Sequence, residues 1–142
     1  MPGTFEPDDD AFEGTPLTPT RLAAFVGVAD IFIFSLVGYL ALENPAFGPI
    51  AGLFVGLGVY HFLPVFMQPA GLEAEHEHRD ASPVREYHRL AAGFGFSAAG
   101  ILVFGWGMTE GDIVVGIPGA LVVAALIYLV AGFALPNAGL EN

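Results

Sequence analysis

Four apolar runs set the pattern of the chain: Leu22–Leu42, Phe47–Met67, Leu90–Met108 and Ile113–Leu135. Each is apolar on all sides rather than along one stripe. At about 1.5 Å per residue, roughly 20 residues reach across a hydrocarbon core of about 30 Å. Polar punctuation separates the runs. Glu43-Asn44-Pro45 and Thr109-Glu110-Gly111-Asp112 read as short turns, with proline or glycine placed to end one helix and start the next. The longer stretch Pro69–His88 reads as a loop, so the third helix is expected to start at Arg89-Leu90 and the first after Thr20-Arg21. The pattern predicts an all-α membrane protein with four transmembrane helices in a bundle.

The runs also come in matching pairs. A shift of about 68 positions lays Arg21-Leu22-Ala23-Ala24 on Arg89-Leu90-Ala91-Ala92, Gly27 on Gly95, Gly48 on Gly116 and Tyr60 on Tyr128. The unit closes with Ala70-Gly71-Leu72-Glu73 over Ala138-Gly139-Leu140-Glu141. Identity is roughly a quarter over about 53 positions, and the matching polar ends tell against shared apolar composition as its source. The reading is two tandem helical hairpins, residues 21–73 and 89–142, joined by a linker at 74–88 and preceded by a tail at 1–20.

Composition agrees with membrane residence: 54% of residues are hydrophobic, 13% are charged, and mean hydropathy is +0.64. The charge is lopsided. Lysine is absent, the cations are Arg21, Arg79, Arg85 and Arg89, and the net charge is −11. A nucleic-acid partner is disfavoured, because phosphate binding needs clustered cations. The acidic, lysine-free polar segments have a halophile-like composition, tolerable where salt screens strongly. The tail, with Glu6, Asp8, Asp9, Asp10 and Glu13 and no base, is too polar to offset its ordering entropy and is expected to be disordered. No basic region precedes the first apolar run, so no cleavable signal peptide is expected. The arginines flank the starts of helices 1 and 3, and the short turns hold none. The positive-inside rule then puts both termini and the long loop in the cytoplasm, with the hairpins entering the cell membrane in the same sense as a parallel repeat.

Small residues point to the packing surfaces. Helix 2 carries Gly48, Gly52 and Gly56, and helix 4 carries Gly116, Ala120 and Ala124 at the same offsets. Grooves of this kind let backbones approach where lipid gives no hydrophobic drive to association, and the two stripes are expected to meet near a pseudo-twofold axis. Helix 3 offers Gly93, Ser97, Gly100 and Gly107 on one face, and helix 1 offers Ala23, Gly27 and Asp30. One of these faces could instead serve a homo-oligomer.

Candidate chemistry is sparse. Asp30 falls near mid-membrane, where an ionisable group costs at least about 2.5–3.5 kcal/mol and marks either proton or ion handling or a hydrogen-bonded link between helices. His61 and Ser97 lie at similar depth, so an Asp30–His61 pair is geometrically open. On the helical wheel, however, His61 points away from the Gly48/Gly52/Gly56 stripe. Haem ligation by His61 and His88 is disfavoured by depths that differ by roughly 10 Å. His76 and His78, among alternating carboxylates of the loop, are a weak metal-binding signal without cysteine. Trp106 suits an aromatic belt at the outer interface. No cofactor is called for, and no catalytic motif stands out. A lone carboxylate in helix 1 is also a feature of small four-helix multidrug transporters, which lack the tandem repeat, acidic tail and long central loop. Proteins built on a two-helix Ser-Pro-Trp repeat share the layout, but that tripeptide is absent here. The sequence is therefore read without a family, as a non-enzymatic subunit or scaffold of a membrane complex. The alternative is a small proton- or cation-coupled transporter or channel centred on Asp30. Lipid, other membrane subunits or further copies of the chain are the expected partners.

Overall fold

The computed structural model describes residues 18–67 and 83–138. Within them the chain is helical throughout: α1 Pro19–Ala41, α2 Phe47–Phe66, α3 Pro83–Met108 and α4 Ile113–Ala138. All four are long and apolar enough to cross a membrane. The tail before Thr18 and the loop segment with His76 and His78 lie outside the described residues.

Two helices start earlier than the apolar runs suggest, and local chemistry accounts for both. Thr18 caps α1, its Oγ1 accepting from the Arg21 N–H at 3.3 Å, and Pro19 occupies the first turn, where its missing N–H costs nothing. In α3, Pro83 again opens the helix, and Glu86 sits in the first turn, where the positive end of the helix dipole favours it. Arg85 and His88 are thereby on a helix rather than in a loop.

The turns are short and well bonded. Between α1 and α2, the Asn44 side chain accepts from the Ala46 N–H at 3.1 Å. Between α3 and α4, the Gly111 N–H reaches the Trp106 carbonyl and the Glu110 N–H reaches that of Gly107, the bond pair that closes a helix through one left-handed residue. That residue is Glu110, at φ 58°. Asp112 then caps α4, its carboxylate accepting from the Val114 N–H at 2.8 Å. Trp106 covers the turn and donates its indole N–H to the Asp112 carbonyl at 3.0 Å.

The helices pack in chain order, each antiparallel to the one before: α1 on α2, α2 on α3 and α3 on α4. Gly27 faces Gly56, and Gly38 faces Gly48, at van der Waals closeness. A Cβ added to Gly27 would stand 2.7 Å from the Gly56 carbonyl oxygen. In the second hairpin a Cβ on Gly95 would stand 2.8 Å from the carbonyl oxygen of Ala124. The expected meeting of the α2 and α4 stripes is not what forms. Gly48, Gly52 and Gly56 pack on α1, while Gly116 and Ala124 pack on α3. A small-residue stripe permits close approach without specifying the neighbour, and a short turn makes the preceding helix the first one available.

Helix α2 has a second packed face. Gly58 meets Gly93 and Ser97 of α3, Ala51 and Val55 meet Gly100, and Phe47 lies against Gly107. The faces of α2 toward α1 and α3 are about 110° apart on the wheel. The buried core is correspondingly thin: Leu42, Phe47, Ala51, Ala99, Val103, Ala120 and Ala124 form its main cluster.

The packing and the left-handed turn residue predict three outcomes in detergent-micelle unfolding titrations. Gly56→Val destabilises by at least about 1–3 kcal/mol, because its side chain must enter the Gly27 backbone. Gly119→Ala, which meets open space, is neutral or gains up to about 1 kcal/mol from helix propensity. Glu110→Gly removes the left-handed strain and raises stability by roughly 1 kcal/mol.

Candidate functional site

Asp30 lies midway along α1, roughly 16 Å from either end at about 1.5 Å per residue. Its backbone carbonyl sits against Gly52 of α2. Its Oδ2 is sealed from solvent and has no hydrogen-bond partner. The same description holds for the Oγ of Ser97 on α3, which rests on Gly58. Among the described residues these two atoms alone are buried side-chain polar atoms left unsatisfied. Leaving such a group unpaired costs about 1–3 kcal/mol.

Both residues sit on the flanks of α1 and α3 that face each other over α2. Phe34 and Phe104 mark that junction, ring edge to face at a centroid distance of 5.4 Å. Asp30 is one turn from Phe34 and Ser97 two turns from Phe104, each on the same side of its helix and toward the same end of the array. A carboxyl and a hydroxyl, neither with a hydrogen-bond partner, thus lie on these flanks about one turn apart in depth, the hydroxyl turned toward Gly58 of α2. Ser35 gives a useful contrast: its hydroxyl donates to the Ile31 carbonyl at 2.6 Å and needs nothing further.

His61 does not join them. From Gly52 to His61 the wheel turns by about half a revolution. The body of α2 therefore lies between the imidazole and Asp30. The His61 ring packs instead against Phe96 and Tyr60, at centroid distances of 5.8 and 5.6 Å, and its Nδ1 bonds the Leu57 carbonyl at 2.7 Å. Asp30 and His61 are therefore not brought together.

A second polar contact was not singled out from the sequence. His88 Nδ1 and the Tyr128 hydroxyl are 3.0 Å apart, tying α3 to α4 near the Arg89 end. The signal was present, since Tyr128 is the shifted counterpart of Tyr60, but His88 reads as a loop residue until α3 is seen to start at Pro83. Among the described residues no group of three or more histidines and acids is placed to hold a metal. The packing stripes Gly48, Gly52, Gly56, Gly116, Ala120 and Ala124 all lie at helix interfaces, with the glycines and alanines buried.

No protein family, curated protein or solved structure matches this chain.

The two polar features separate under mutation. Tyr128→Phe removes a formed bond and lowers stability by about 0.5–1.5 kcal/mol. Ser97→Ala removes a hydroxyl with no bond to lose, and thermal unfolding in detergent is expected at the same temperature or higher.

Proposed function

We propose that the chain is a multi-pass protein of the cell membrane, built from two tandem, parallel-repeated hairpins, and that it acts as a non-enzymatic subunit or scaffold of a membrane complex. The observation that carries this reading is the uncovered apolar surface of a serial array. Phe25, Phe32 and Leu40 on α1 are 72%, 70% and 74% exposed, and Val114 and Phe133 on α4 are 73% and 76% exposed. Side chains of this size in patches this wide need lipid or another protein against them. The duplication is supported by the shared contact register, Gly27 on Gly56 and Gly95 on Ala124, which repeats the sequence offset. Arg21, Arg85 and Arg89 fall at one end of the antiparallel array, and the two short turns at the other carry no base, which favours cytoplasmic termini.

One observation favours a second reading, proton or cation coupling. Asp30 holds a buried, unpartnered carboxyl oxygen at mid-helix, a group able to take up a proton or a cation, and Ser97 holds an unpartnered hydroxyl at mid-helix in α3. Under the scaffold reading the same groups await a polar partner from another subunit.

Purification from native membranes in mild detergent, followed by mass determination of the intact particle, separates the two. The scaffold reading expects other subunits in fixed stoichiometry, retained or weakened in Asp30→Asn, with no flux of its own. A particle of this chain alone, whose proton or cation flux in vesicles vanishes in Asp30→Asn while assembly is intact, would overturn it.

A further inference from the structure

Each hairpin carries the same surface groove. One, of about 190 Å³, is lined by Ala24, Gly27, Gly56 and Tyr60 with neighbouring apolar side chains. The other, of about 290 Å³, is lined by Ala92, Gly95, Ala124 and Tyr128 in the corresponding positions. Small residues at the helix contact make the floor, and the larger apolar side chains make the walls. A basic residue stands one turn beyond the tyrosine end of each: Arg21 is three residues before Ala24, and Arg89 three before Ala92, on the groove side of the helix. The second groove has a richer mouth. Arg85 extends the same face by another turn, and Tyr128 is held by His88.

We propose that each groove binds one anionic phospholipid, with an acyl chain along the groove and the phosphate at the arginine. This rests on the membrane reading above. Two features select the occupant. An apolar groove with an arginine one turn beyond its end matches an amphiphile with one anionic end. In a chain of net charge −11, moreover, both grooves open beside members of its small set of cations. Arginine suits the task because its stem can lie along the apolar surface while the guanidinium reaches a phosphate with two parallel bonds. The tyrosine adds an amphipathic edge at the same level. The second groove, with two arginines, is the tighter site.

The test is native mass spectrometry of the full chain released from nanodiscs of mixed phosphatidylglycerol and phosphatidylcholine. Two phosphatidylglycerol molecules per chain are expected to stay bound in preference to phosphatidylcholine. Arg89→Gln with Arg85→Gln, or Ala125→Trp at the exposed wall of the second groove, should each remove one lipid mass. Arg21→Gln or Ala24→Trp should remove the other, and Arg89→Lys should retain its lipid. Helical circular dichroism on the same samples excludes loss by unfolding. Equal retention of both lipids, retention that survives either the arginine or the tryptophan substitutions, or a second copy of the chain in place of lipid would overturn the proposal. Failure of the membrane reading is distinct: the chain would then leave the nanodisc without detergent.

Discussion

Backbone contact between helices is the constraint on which the rest of the structure depends. At Gly27 and Gly56 two helices come so close that neither position has room for a methyl group, and the second hairpin repeats the approach at Gly95 and Ala124. Nearly apolar helices have little else to fix their relative position, since large apolar side chains gain as much from lipid as from one another. Close approach maximises dispersion contact and sets the register. The price is a thin core, in which alanines and glycines do the packing and most leucines, valines and phenylalanines face outward.

Helix α2 follows from the same constraint. Glycine on two faces, Gly48/Gly52/Gly56 toward α1 and Gly58 toward α3, lets it serve as the common wall of both neighbours. Those faces are separated by about a third of a turn, so α1 and α3 converge on one side of it. Phe34 and Phe104 meet in that convergence, and Asp30 and Ser97 lie on the same flanks of their helices nearer the Arg21 end. His61, on the far side of α2, belongs to an aromatic cluster with Phe96 and Tyr60. The unpartnered Asp30 carboxyl and the aromatic cluster thereby lie on opposite sides of a single helix.

The sequence made the helices legible, because length and apolar content decide them almost alone. Helix starts are less legible, because the signals Thr18-Pro19 and Pro83 with Glu86 lie outside the apolar runs, in stretches whose polarity resembles tail and loop. The small-residue stripes were visible as surfaces but assigned to the wrong neighbour, since periodicity along one helix holds no information about which helix fills its groove. Asp30 stood out because a carboxylate in an apolar run is conspicuous. The similar depth of Ser97 is legible too, whereas its seat on Gly58 follows only from the packing of α3 on α2. The placement of His61 is legible from the wheel, because half a turn from Gly52 is a local fact that tertiary packing leaves intact.

Serial packing is the central claim, and intrachain cross-linking in membranes tests it most directly, aided by the absence of native cysteine. Paired cysteines at Ala24 and Leu57, and at Ala92 and Ala125, span the grooves of the two hairpins; a third pair at Val28 and Val122 joins α1 to α4. The serial array predicts intrachain cross-links for the first two pairs and none for the third, with any dimer seen as a doubled mass. An efficient intrachain α1–α4 cross-link, with the groove pairs unreactive, would contradict it.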